Sequence, residues 1–306
     1  MRICYFIQNH LAPAQVARLV AALRRSQPDA FVLVGHDESA GWCSAEQMRR
    51  ALELDVFAIR EPARRGYFSL LQPYFEAVEW LGGRGVPYDW LVYLSGQDFP
   101  TLPLRRLAEM LAATDRDGFL RFWDAFAPVN PWNRRRQGKC RYGFRYADAP
   151  RWAAAGLRLL RRFNGLQTLM HVHLVYGQRI GVRPRTLPFG PGLGCYAGSQ
   201  WTILRRACAE YAAEEVRRDG ELIRWFRSTI CPDEAVVQTL LVNSGRFRLQ
   251  DDHLRFEDFT GSRNGHPRLL TVDDFPALTG GRYFFARKFD LQHDGAVLDR
   301  LDEWIG

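Results

Sequence analysis

Three apolar runs of this chain end in polar side chains suited to binding or catalysis. Residues 3–7 exit into Gln8-Asn9-His10, residues 31–34 into Gly35-His36-Asp37-Glu38, and residues 90–94 into Ser95-Gly96-Gln97-Asp98-Phe99-Pro100. In open α/β sheets ligands bind outside the carboxyl ends of the strands, so these exits could together line a nucleotide crevice. Asp37 suits a base or ribose donor, and a Ser95-Gly96 turn allows close backbone approach. The competing reading is that Ser-Gly and Phe-Pro only punctuate a loop. Asp115-Arg116-Asp117 has the form of a divalent-cation motif. It precedes the strand expected at 119–123, however, and so belongs to the other edge of the sheet as a solvated turn. Asp98 is then a lone carboxylate at the useful edge, a poor site for a hard cation.

The elements that would position these residues alternate in type. Strand patterns at 3–8, 31–34, 56–59, 90–94 and 119–123 are separated by helical ones. The helical patterns open at Pro13, at a Ser44–Gln47 capping box, and over 68–81 and 104–113. Such alternation predicts a mostly parallel sheet covered by helices on both faces. Residues 126–195 differ: Pro, Trp, Arg and Gly dominate, with a basic run from Asn133 to Lys139, a helical pattern at 157–163 and a loop at 184–194. Helices are then expected at 201–218 and from Pro232 to 242, with Asn243-Ser244-Gly245 as a stop, and strands at 254–256 and 283–286. The expectation is one compact α/β domain with two halves, 1–125 for the nucleotide and 126–306 for acceptor and catalysis.

Of the 306 residues, 47% are apolar and 25% charged, which excludes wholesale disorder. A net charge of +8 favours anionic partners. No run approaches the ~18–20 apolar residues of a membrane span and no signal peptide is visible, so a cytoplasmic location is expected, with peripheral membrane association left open. Six scattered cysteines without a CxxC pair argue against zinc and for buried free thiols.

The segment Tyr88-Asp89-Trp90-Leu91-Val92-Tyr93-Leu94-Ser95-Gly96-Gln97-Asp98-Phe99-Pro100 resembles the signature strand and loop of glycosyltransferase family 14, the core-2/I-branching β-1,6-N-acetylglucosaminyltransferases and peptide O-xylosyltransferases. Further matches follow in order. Gly198-Ser199-Gln200-Trp201 resembles the family's acceptor-side turn, and Cys231-Pro232-Asp233-Glu234 its catalytic helix start. His266-Pro267-Arg268 and Phe285-Ala286-Arg287-Lys288-Phe289-Asp290 resemble its diphosphate-binding stretches. His36-Asp37 resembles the His-x-Asp of the nucleotide pocket, shifted by one residue. The basic segment 126–195 has no counterpart.

The resemblance implies a GT-A-like fold, a UDP-sugar donor carrying N-acetylglucosamine or xylose, a carbohydrate or small glycoside acceptor, inversion, and no cofactor or metal. It implies Glu234 as general base, and Arg268 and Lys288, with Arg287 beside them, on the diphosphate. His10, Asp37, Ser95 and Asp98 lie near the nucleotide, and Ser199, Trp201 and Asp233 near the acceptor. Single displacement needs one ionised carboxylate. A first-turn position favours that form at Glu234, with Asp233 as the cap, although acids stabilise helix starts without catalysing anything. Trp201 is open to two readings, a sugar-stacking platform or a core residue opening a helix. The rival from another class is nucleic-acid binding through the basic and aromatic residues 132–146. No recognised nucleic-acid module supports it, and none is expected as a partner.

Overall fold

The computed structural model describes residues 1–132, 137–166, 168–262 and 265–306. In chain order the strands are β1 (Ile3–Asn9), β2 (Phe31–His36), β3 (Asp55–Ala58), β4 (Trp90–Ser95), β5 (Phe99–Pro100), β6 (Gly118–Asp124), β7 (Arg145–Asp148), β8 (Met170–His173), β9 (Arg179–Val182), β10 (Tyr196–Arg205), β11 (Leu249–Asp251), β12 (Arg255–Glu257) and β13 (Phe285–Arg287). Seven of them form the main sheet in the order β11-β6-β10-β4-β1-β2-β3. Every adjacent pair is parallel except those of β10, which runs antiparallel to both β4 and β6. The fold is thus mixed α/β with a mainly parallel sheet, and the halves 1–125 and 126–306 share it.

The continuous apolar runs follow from burial on both faces. Along β1, Ile3, Tyr5 and Ile7 join one core cluster and Cys4 and Phe6 the other. Along β4, Trp90, Val92 and Leu94 alternate with Leu91 and Tyr93 in the same way. The first cluster packs under the helices Pro13–Ser26, Leu104–Ala113 and Ala296–Ile305, and the second under Gln72–Gly83, Arg206–Arg218 and Val236–Ser244. The capping box forms, with the Gln47 amide N–H donating to Ser44 Oγ at 3.1 Å. All six cysteines are free thiols.

Three expectations need correction. Trp201 does not open a helix; it lies inside β10, and the helix begins at Arg206. The run Trp-Thr-Ile-Leu is aromatic and β-branched, and pairing with β4 and β6 satisfies it. Pro232–Glu234 is a separate 3-10 turn before the helix Val236–Ser244, so Glu234 precedes the first α-helical turn instead of occupying it. No side-chain cap is present at either start, so Asp233 does not cap. Finally, residues 145–182 contain a three-stranded antiparallel sheet, β7-β9-β8, which the pattern did not reveal. The basic run 133–139 lies largely outside the described residues.

A second small sheet, β12-β13-β5, pairs Phe285 with Pro100 and Ala286 with Phe99. It brings the end of the chain against the loop leaving β4. Asp115 and Asp117 sit ahead of β6, where Asp115 pairs with Arg248 at 3.0 Å and Asp117 lies 3.5 Å from Arg205.

Candidate active site

β2 and β4 flank β1 on opposite sides, and their carboxyl ends open into a cleft of about 920 Å³. Its floor is a side-chain network. The Tyr93 hydroxyl donates to Gln8 Oε1, Gln200 Nε2 donates to the Tyr93 oxygen at 2.7 Å, and Gln8 Nε2 donates to the Leu70 carbonyl at 3.1 Å. The strand ends are locked together at Asn9, which contacts His36 Nδ1 at 3.0 Å and sits against Gly96. A Cβ at Gly96 would lie 2.5 Å from Asn9 Oδ1, so a side chain there would push the two strand ends apart.

Basic residues build one wall. Asp98 is fully buried behind the lining: its Oδ2 accepts from the Ser95 amide, and its Oδ1 lies 3.5 Å from both Arg255 Nε and Arg287 Nε. Arg287 also approaches Glu257 at 3.5 Å, and its guanidinium stands 4.3 Å from the Trp201 ring centre. Asp98 and Glu257 therefore balance the charges of Arg255 and Arg287. Arg65 and Lys288 have no carboxylate partner within ion-pair distance among the described residues. Arg65 instead contacts His266 and donates to the Gly265 carbonyl at 2.7 Å. Burial, then the Arg65, Lys288 and Arg287 charges, push the His266 pKa down to about 4, so the ring is neutral at pH 7. Burial and the same arginines lower the Lys288 pKa. The wall carries uncompensated positive charge where an anion can neutralise it.

Two carboxylates face the same cleft from the Pro232–Glu234 turn. Cys231, just before it, adopts a left-handed backbone with φ 51°, uncommon for a non-glycine residue. It is held by its amide donating to the Gly66 carbonyl at 3.2 Å and by its own carbonyl accepting from the Tyr142 hydroxyl at 2.9 Å. Glu234 is partly exposed and ion-paired with Arg141, whose guanidinium stacks 4.4 Å from the Trp132 ring centre. Asp233 is buried, its Oδ1 lacks a hydrogen-bond partner, and burial followed by the Glu234 charge raises its pKa.

The structure gathers His10, Asp37, Ser95, Ser199, Trp201, Asp233, Glu234, Arg287 and Lys288 around one cleft. His10 lies at the rim within electrostatic reach of Asp37, Lys288 and Arg287. Asp37 already holds loops: Oδ1 accepts from the Ser39 amide at 3.0 Å and Oδ2 from the Ala63 amide at 2.8 Å. Ser199 occupies an irregular stretch of β10 between Gly198 and Thr202. Trp201 is buried beneath Arg287, so it serves as a platform for a guanidinium, not as a free sugar-stacking face. Two expectations fail on placement. Arg268 is not part of the lining; it is clamped by Asp258 at 2.6 Å and by Asp274. Asp98 is a buried counter-ion and not a contact residue. In the 132–146 segment Tyr142 and Tyr146 are buried and Arg141 points to Glu234, so these three side chains offer no face to nucleic-acid bases.

No protein-family model matches the chain. It is 26% identical over 333 residues to xylosyltransferase oxt of Drosophila pseudoobscura pseudoobscura, covering 100% of this chain and 33% of that protein. Over 330 residues it is 24% identical to xylosyltransferase 2 of Bos taurus, again covering all of this chain and 34% of the relative. The chain thus spans about a third of the length of the curated relatives it matches. Among solved structures, 4-diphosphocytidyl-2C-methyl-D-erythritolsynthase from Anaerococcus prevotii aligns with a TM-score of 0.38 and 8% identity over 91% of this chain and 96% of that one. Glucosyl-3-phosphoglycerate synthase from Mycobacterium tuberculosis aligns with a TM-score of 0.32 and 12% identity over 68% and 57%.

Sequence reasoning missed Arg65, Arg141, Arg255 and the His253–Glu257 pair, in which His253 Nε2 lies 3.0 Å from Glu257. The signal for Arg255 was present, since it lies in the strand expected at 254–256, and Glu257 follows directly after that strand. Arg141 fell within the basic and aromatic segment 132–146, with nothing to tie it to Glu234, and no signal marked Arg65 among the 42 Lys and Arg residues.

Proposed function

We propose that this chain is a glycosyltransferase that moves a sugar from a nucleoside diphosphate sugar to an acceptor hydroxyl, with inversion and without a metal ion. The observation that carries the reading is that the Glu234 carboxylate and the uncompensated cations Arg65 and Lys288 line one cleft at the carboxyl ends of β1 and β4. The likeness to xylosyltransferases and the motif order point the same way. They favour a UDP donor carrying xylose or N-acetylglucosamine.

Glu234 takes the proton of the acceptor hydroxyl as the oxygen attacks the anomeric carbon from the face opposite the diphosphate. A single displacement of this kind inverts the centre. Negative charge then develops on the departing diphosphate, and Arg65, Arg287 and Lys288 stabilise it as fixed cations. Arg287 supplies a planar fork held between Trp201 and Asp98, and Lys288 a point charge. In this reading these side chains, and not a metal ion, neutralise that charge. Arg141 orients Glu234 until the acceptor hydroxyl arrives.

Calorimetric titration with UDP and with UDP-, GDP- and dTDP-sugars in EDTA tests this. Micromolar binding in EDTA that weakens at least about tenfold in Lys288→Ala supports the proposal. No binding of any nucleotide, or binding that requires a divalent ion, overturns it.

A further inference from the structure

The insertion carrying β7, β8 and β9 presents a surface that the proposed transfer reaction does not use. Residues 151–163 form a continuous helical stretch, with 3-10 turns at each end of the helix Ala154–Leu160, and only Leu157 in it is buried. Trp152, Leu159 and Phe163 recur at helical spacing and are exposed, Trp152 by 86%. Arg151, Arg158 and Arg162 recur at the same spacing one position earlier and are also exposed. Just beyond, Leu166 is 82% exposed and Leu169 69%. No Asp or Glu occurs between Asp148 and Glu210. An apolar stripe thus runs beside an arginine stripe, in a stretch with no carboxylate to balance it.

We propose that this face docks on a membrane surface bearing anionic lipid headgroups. Large apolar side chains standing in water are costly, and scattered exposure does not account for five of them with an aligned basic stripe. An anionic bilayer surface meets both halves of the pattern. Trp152, Leu159 and Phe163 enter the boundary between headgroups and acyl chains, and the arginines pair with headgroup phosphates. A neutral protein groove would cover the apolar stripe and leave the arginines without partners. The insertion is firmly tied to the cleft wall, because buried Arg179 donates to the Thr229 carbonyl at 2.9 Å and to the Gly66 carbonyl at 3.3 Å. Docking therefore anchors the cleft itself near the membrane, without any membrane-crossing helix among the described residues.

Flotation with phosphatidylglycerol/phosphatidylcholine vesicles and with pure phosphatidylcholine vesicles, at low and high salt, is the test. Binding to the anionic vesicles alone, reversed by salt, is expected. It should weaken at least about tenfold in Leu159→Ser/Phe163→Ser and in Arg158→Glu/Arg162→Glu. All four side chains are exposed, so both variants should keep the wild-type melting temperature, which is measured alongside. Absence of binding to anionic vesicles overturns the proposal, as does binding that neither variant weakens. A concentration-dependent dimer that Leu159→Ser/Phe163→Ser abolishes, without vesicle binding, would assign the face to a second copy of this chain instead.

Discussion

The Glu234 carboxylate accepts a hydrogen bond from the guanidinium of Arg141, a residue 93 positions earlier in the chain. Arg141 in turn lies over Trp132, so the carboxylate is held by a cation that is itself held by an aromatic ring. Glu234 is thereby fixed in the cleft while its neighbour Asp233 stays buried. If Glu234 is the base, Glu234→Gln should lower kcat about 100-fold or more, while the dissociation constant for UDP changes less than about twofold. Turnover that survives in this variant would transfer the role to Asp233.

Two cations line the cleft without a carboxylate partner among the described residues, and a third, outside the lining, is clamped by two. Arg65→Ala and Lys288→Ala should each weaken UDP binding by about 1.5–3 kcal/mol, since each removes a charged hydrogen-bond donor from the anion. Arg268→Ala should leave UDP affinity unchanged and lower the melting temperature by about 2–4 °C, because its partners Asp258 and Asp274 are structural. Parallel calorimetry and thermal melts on the three variants check this. A nucleotide-binding defect in the Arg268 variant would mean that the clamp opens on binding.

Gly198 cannot carry a side chain. A Cβ there would sit 1.7 Å from the Arg121 carbonyl oxygen, which is backbone of the paired strand and cannot swing away. Gly198→Ala should destabilise the fold by about 3 kcal/mol or more in a denaturant titration, and it should displace Ser199 from the cleft. A variant of wild-type stability would show that β10 can shift against β6.

Two histidines should make stability fall in mild acid. Burial, followed by the charges of His171 and Arg141, pushes His173 down to about 4, and His266 has a similar value. In the unfolded chain both titrate near 6.5. Between those values the unfolded state binds more protons, so stability rises with pH across this window and is lost as pH falls from about 6.5 toward 4. Buried Asp233, raised to about 7, acts in the opposite sense over the same window, so the histidine share is read as a difference: urea midpoints measured at several pH values should lose less toward acid in His173→Asn than in the wild type. An unchanged slope in the variant would place the pH dependence on other groups.

The legible parts of the chain are those where one physical signal dominates. β1 and β4 are buried on both faces, so their apolar runs stand out without any partner being known. Trp201 was misread because Trp-Thr-Ile-Leu leads straight into a genuine helix, and only the neighbouring strands decide where extension stops. The strands β7, β8 and β9 are four residues each and mix Arg, His and Gly, too short and polar for a period to show. Lys288 and Glu234 came into view through ordered motifs and the fold brings them to one cleft. Arg268 was drawn in by the same motifs, yet two nearby carboxylates hold it elsewhere. No local pattern distinguishes a paired cation from a free one.

Asp98 has a consequence for how this site can change. One buried carboxylate is shared by Arg255, which hydrogen-bonds the Tyr93 carbonyl at 2.9 Å, and by Arg287, which faces the cleft. Weakening the grip on an anion by altering Asp98 or Arg287 also strands the other members of the cluster in the core, so ligand affinity and folding are inherited together there. Arg65 and Lys288 are free of that constraint. Variation among descendants of this chain that retunes donor preference without loss of folded protein should accumulate at those two positions, with Asp98, Arg255 and Arg287 changing as a group or not at all.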